Sequence, residues 1–145
     1  MALLDSIKIL HADNFVFYLK SHNFHWNIEG PNFKQYHNFL EKIYTAAWKD
    51  VDTIAEQIRA LDAYAPGSMS RFKELSTIQE TITIPTPLEM LQIIYDDLQK
   101  VILDTMTAYT DANKENEIGL SNFLQDKYNA DKKTSWMLRS TLIRK

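Results

Sequence analysis

The chain contains no cysteine, which removes disulfides, thiolate-bound zinc, iron-sulfur clusters and cysteine nucleophiles together. Any metal chemistry must then be built from His, Asp and Glu. Helix breakers are nearly as scarce, with three glycines and four prolines in 145 residues. No apolar run reaches the roughly 18 residues of a membrane-crossing helix, and Met1-Ala2-Leu3-Leu4-Asp5 has neither a basic leader nor a long apolar segment; a cytoplasmic protein without membrane association is expected. An excess of positive charge is also missing. Sixteen basic against nineteen acidic residues leave a net charge of -3, so the chain as a whole offers no electrostatic footprint for nucleic acid.

What remains is ordinary globular material, 45% hydrophobic and 24% charged, of a length that one domain over residues 1–145 accommodates. The breakers cluster at Gly30-Pro31, Pro66-Gly67, Pro85 with Pro87, and Gly119, and long helices are the natural filling between them. Leu3, Ile7, Leu10, Val16 and Leu19 lie close to whole helical turns apart and predict a first helix to about Trp26. A second follows from Phe33 through Leu61, capped by Asn32 and ended before Pro66. Ser68 with Arg71 and Glu74 predicts a two-turn helix within the connection from about 65 to 85.

Thr86-Pro87-Leu88-Glu89 reads as a capping box with proline at the first helical position. It opens a third long helix carrying Leu91, Ile94, Leu98, Ile102 and Met106; the polar stretch Asp111 to Glu117 then leads to a fourth with Leu120, Phe123, Leu124, Tyr128, Trp136 and Leu138. Short links make neighbours antiparallel, while the long second connection can traverse the bundle and leave its flanking helices parallel. The expected fold is all-α: a ferritin-like four-helix bundle with one long crossover carrying a short helix.

The residues suited to chemistry are His25, His37, Glu41, Asp52 and Glu56, at the end of the first helix and along the second. His37 and Glu41, like Asp52 and Glu56, are four apart and so one turn apart on one face. Such pairs on an isolated helix are ordinarily solvated surface. Here the apolar stripe runs beside them, and at about 100° per residue Glu41 and Asp52 share a face with His37 about 60° off the same line. Yet fifteen residues of helix put His37 and Asp52 about 22 Å apart, too far to hold one ion. If they cooperate as ligands, the carboxylate end of one second helix must meet the histidine end of another, as a two-fold dimer would arrange. Imidazole with hard carboxylates suits Fe(II), Mn(II) or Zn(II), and spacing does not choose among them. The Glu-x-x-His pair of di-iron bundles is missing, since no His lies three residues after any Glu.

Ser21-His22-Asn23-Phe24-His25-Trp26-Asn27-Ile28-Glu29-Gly30-Pro31-Asn32-Phe33, then His37, then Asp52-Thr53-Ile54-Ala55-Glu56, closely resembles the Dps family, the miniferritins or DNA-binding proteins from starved cells. The likeness covers nearly the whole chain, including Trp136-Met137-Leu138-Arg139. It implies a hollow dodecamer of ferritin-like bundles that oxidises Fe(II), preferably with hydrogen peroxide or else oxygen, stores ferric mineral and limits oxidative damage. His25 and His37 of one subunit with Asp52 and Glu56 of its two-fold mate would form the ferroxidase centre, with Trp26 beside it. Zinc or manganese would be substitutes for iron.

Glu41 stands where the family often has Asp, which puts the second iron position in doubt. His11 and His22 are read as structural or surface residues, and most of the aromatics among Trp26, Trp48 and the seven tyrosines as core packing rather than quenchers of oxidising equivalents. Glu115, Glu117 and Asp126 are candidates for an iron-entry pore or else a solvated loop. The family's DNA binding commonly uses a lysine-rich tail. Lys8 is the only base before Lys20, and the chain ends Arg139-Ser140-Thr141-Leu142-Ile143-Arg144-Lys145; weak or absent DNA binding is expected. The competing readings are a DNA-compacting protein with a vestigial metal site and a cell-surface or immune-type binding module on the same cage.

Overall fold

The computed structural model describes residues 2–143. Its elements are α1 (Ala2–Asn27), α2 (Phe33–Ala60), the short α3 (Met69–Leu75), α4 (Pro87–Lys114) and α5 (Ile118–Leu142). Contacts between helices give their directions. Asn14 Nδ2 donates to Ala47 O and His11 Nε2 to Pro66 O, so α1 and α2 are antiparallel. Lys20 pairs with Asp97, while Asp13 meets Asp104, so α4 is also antiparallel to α1. Therefore α2 and α4 run parallel, joined by the crossover that carries α3. Gln99 to Ser135 and Tyr109 to Gln125 make α4 and α5 antiparallel. This is the expected four-helix bundle with one crossover.

Two links depart from expectation. Asn32 does not cap α2 with its side chain: it sits at φ 65° in the left-handed region, after Gly30 at φ 108°, and only its carbonyl enters the helix, accepting from the Tyr36 N–H at 3.1 Å. The sharp reversal needs a left-handed backbone there, which asparagine tolerates better than most residues. The polar stretch from Asp111 is also not a loop as far as Lys114. Without glycine or proline, and with Ala112 fully buried, α4 continues through it and turns at Glu115–Glu117, where Asn116 takes φ 59°. The expected signals do operate elsewhere. Ser68 Oγ accepts from the Arg71 N–H, and Glu89 reaches back to the Thr86 N–H.

The core is one cluster that runs from Leu3, Ile7, Leu10 and Phe24 of α1 through Leu40, Ile54 and Ile58 of α2 to Leu91, Ile94 and Leu98 of α4 and Leu124 and Leu138 of α5. Tyr18, Tyr36, Tyr95, Tyr109 and Tyr128 pack against it as expected. The tryptophans do not: Trp26, Trp48 and Trp136 are each more than half exposed, and Met106 is exposed as well. Their faces of the helices point away from the core that the smaller aliphatic residues already fill.

Polar groups inside the bundle tie its helices together. Lys127 of α5 is buried, and its Nζ donates to Asn14 Oδ1 of α1 at 3.0 Å, to Asp50 Oδ2 of α2 at 2.9 Å and to Asp131 Oδ2 at 3.0 Å. Burial works against the ammonium charge, but Asp131 and Asp50 outweigh it and hold the lysine above its usual range. Removing the cation strands two carboxylates in a desolvated place. Lys127→Met is expected to cost about 3 kcal/mol or more, read as a lowered urea midpoint at fixed protein concentration; an unchanged midpoint contradicts this account of how α5 is held.

Candidate metal centre

The turn between α1 and α2 brings the two predicted histidines face to face. His25, near the C-terminus of α1, is buried, and His37, on the second turn of α2, is half-buried. Their rings stack at 3.7 Å between centroids with 16° between planes. Each ring hydrogen-bonds the other residue's backbone: His25 Nδ1 donates to His37 O at 2.8 Å, and His37 Nδ1 donates to His25 O at 2.7 Å. A carbonyl oxygen only accepts, so both Nδ1 atoms carry the proton. In the neutral rings both Nε2 atoms then keep free lone pairs, the arrangement by which an outer hydrogen bond fixes a metal-binding imidazole.

Glu41, one turn beyond His37, stands at the same end, with Oε1 4.0 Å from His25 Nε2 and a largely exposed side chain. Asp52 and Glu56 are brought to neither histidine. Both are exposed and lie further along α2, where Asp52 lines an open groove with His11, Phe15, Trp48, Pro66 and Phe72. Among the described residues no group of three or more His, Asp or Glu is placed to hold a metal ion. The candidate ligands on α2 thus stand as two groups toward separate ends of one helix. Glu115 and Glu117 bracket the α4–α5 turn, and Asp126 lines a groove between those helices.

An aromatic cluster that the sequence reading passed over adjoins the histidine pair. The His22 ring stacks on Tyr44 at 3.8 Å and approaches Trp26 at 4.1 Å, while its Nδ1 meets the Tyr18 hydroxyl at 2.9 Å. Tyr44 also meets His25 edge-on at 5.0 Å. Burial first, and the neighbouring His25 second, lower the His22 pKa and favour its neutral ring. His22 is thus structural, as expected, and walls the pair on one side. His11 is structural too: it is buried, donates from Nε2 to Pro66 O at 3.0 Å and meets Phe72 edge-on. The signal for the cluster was present in the one-turn spacing of Tyr18, His22 and Trp26.

A ferritin-like domain family matches residues 5–144. The DNA protection during starvation protein 2 of Bacillus anthracis is 32% identical over 131 residues, covering 90% of each chain. The crystal structure of antigen TpF1 from Treponema pallidum superposes with a TM-score of 0.95 at 31% identity, covering 99% of this chain and 92% of that one. That of a Dps protein from Vibrio cholerae O1, described as a member of a broad superfamily of ferritin-like diiron-carboxylate proteins, gives 0.93 at 27% identity, with 97% and 89% covered. The chain belongs to the ferritin-like family, among its Dps proteins.

Proposed function

We propose that this chain is an iron-oxidising, iron-storing subunit whose ferroxidase centre forms between two copies. The observation that carries the reading is the reciprocal histidine lock: two imidazoles with their Nδ1 protons fixed and both Nε2 atoms left free, at one end of a helix whose carboxylates Asp52 and Glu56 stand too far along to join them. An antiparallel second copy supplies those carboxylates to this end and receives them at the other. The diiron-carboxylate description of the Vibrio cholerae relative supports iron as the metal substrate, in preference to zinc or manganese. Twelve copies in a closed cage would enclose the mineral.

Carboxylates at such a centre favour the higher charge of Fe(III), and neutral imidazoles accept either oxidation state. Two Fe(II) ions give up one electron each. Hydrogen peroxide, taking both with two protons, becomes two waters and releases no hydroxyl radical. Glu41, beside His25, is the additional carboxylate for a second ion, and its largely exposed position lets it swing toward or away from the site. Tyr44 and His22 keep the His25 ring in place and exclude water from one side.

Replacing Asp52 and Glu56 by alanine is expected to lower the rate of Fe(II) oxidation by peroxide at least tenfold without unfolding the chain, since both side chains are exposed; stopped-flow absorbance of the ferric product measures it. Rates equal to the parent's would mean that the two carboxylates are only helix surface. His37→Ala removes one ligand and the Nδ1–H donor to the His25 carbonyl, while the bond from His25 Nδ1 to the residue-37 carbonyl is kept, so anaerobic titration is expected to show weaker Fe(II) binding. Binding at the parent's affinity would sink the histidine half of the centre.

DNA compaction is the alternative, supported by the name of the Bacillus anthracis relative. With a net charge of -3 per chain, the phosphate backbone finds little to neutralise. A gel shift at moderate salt is expected to leave DNA free; tight, salt-resistant complexes would favour compaction.

A further inference from the structure

The connection from α3 to α4 is fastened to the bundle through a pair of carboxyl groups far from the histidines. Asp13 of α1 is fully buried. Its Oδ1 accepts from Ser76 Oγ at 2.7 Å and from the Thr77 N–H at 2.6 Å, and its Oδ2 accepts from Thr77 Oγ1 at 2.7 Å. Facing it from α4 is Asp104, hydrogen-bonded to Asp13, with an Oδ2 that is buried and has no donor to accept from. Two carboxylates cannot hydrogen-bond one another without a proton between them. Asp13 already receives three donors, so Asp104 is the group that carries the proton and gives it to Asp13.

Among the described residues no cation is hydrogen-bonded to the pair in place of that proton; Lys100 acts on Asp104 only through its charge and pulls its pKa down by less than burial and Asp13 push it up. Lys100, one turn earlier on α4, is exposed and directs Nζ to Thr77 O at 3.2 Å. The connection itself contributes hydroxyls and an amide. Further along the same face, Lys20 of α1 and Asp97 of α4 are paired with each other, and Lys20 Nζ donates to Gln79 O at 2.8 Å. Ser76 Oγ, held by Asp13, in turn accepts from the Ile78 N–H at 3.1 Å, and the Ile78 side chain is buried. The pair therefore sits at the root of an ordered stretch.

We propose that Asp13 and Asp104 form a proton-held latch, which fastens Ser76–Ile78 to α1 and α4 and slackens when the proton is lost. Burial first, and then Asp13, push the Asp104 carboxyl up to about 8, whereas burial of Asp13 is outweighed by hydrogen bonds from Asp104, Thr77 and Ser76, which hold it below its usual range. Release of the connection lets water reach the pair and lowers the Asp104 carboxyl toward the ordinary carboxylate range. The closed latch therefore binds more protons than the open one at neutral pH. Its advantage is complete below the ordinary range, falls steadily as pH rises and levels off above about 8. Neutral to mildly alkaline conditions thus loosen the connection, and with it α3, whose Phe72 stacks on Phe15 at 4.3 Å.

Amide hydrogen exchange of the full-length protein between pH 5.5 and 8.5, beside Asp104→Asn, tests the latch. Asparagine keeps a donor toward Asp13 and cannot ionise. Protection of the Thr77 and Ile78 amides, expressed relative to the variant at each pH, is expected to fall as pH rises and to flatten above about pH 8. Parallel profiles in the two proteins would overturn the proposal. If the variant fails to fold, infrared spectra of the parent decide: a protonated-carboxyl band present at pH 6 and lost through pH 8 is the expected result, and its absence at pH 6 overturns the latch.

Discussion

Burial of the first helix on most of its circumference is the constraint from which the rest of the structure follows. α1 packs against α2, α3 and α4, and so His11, Asp13, Asn14, Lys20, Ser21 and His25 all lie inside. A polar group taken out of water costs free energy unless it is hydrogen-bonded. Ser21 satisfies its hydroxyl on Phe17 O of its own helix, and each of the others reaches a particular place on another element. His11 holds the exit of α2 at Pro66, Asp13 the root of the crossover, Asn14 the middle of α2 and Lys127 of α5, and Lys20 both α4 and Gln79. Hydrophobic contact alone would permit sliding along the bundle axis. The polar ladder sets one register.

The histidine lock is the last rung of that ladder. His25 satisfies its Nδ1 on the backbone of α2 and His37 satisfies its own on the backbone of α1, so the helix turn and the ligand tautomer are specified by the same two bonds. A fold-stabilising need and the proposed metal-binding role coincide there. They do not coincide at Asp52 and Glu56, which lie exposed and meet no hydrogen-bond or ion-pair partner among the described residues. That difference is what the proposed pairing of two copies explains: one half of the ligand set is made rigid by folding and the other is left available for association.

Much of this was legible in residue order. The scarcity of breakers and the 3.6-residue stripes place the four long helices, Ser68 and Thr86 mark two helix starts, and the distance between His37 and Asp52 already forbids a centre within one chain. The polar stretch after Thr110 misled because composition signals a loop, while a buried Ala112 keeps the helix going. Asn32 misled because a good capping residue is also a good left-handed one. The buried partners were harder to read: Asp13, Asn14 and Lys127 occupy inward positions between Leu10 and Phe17 and after Leu124, but which residue each would meet depends on packing that no spacing rule supplies. The tryptophans look like core by size, and the core was already full.

Complementation between two damaged chains tests the central claim most directly. A His25→Ala/His37→Ala chain retains only the carboxylates, and an Asp52→Ala/Glu56→Ala chain retains only the histidines. Each is expected to oxidise Fe(II) slowly alone. Co-assembled in equal amounts, they should recover about a quarter of the parent's fast oxidation, because half of the two-fold pairs are mixed and each mixed pair regains one of its two centres. Activity no greater than the average of the two separate proteins would contradict a centre shared between copies.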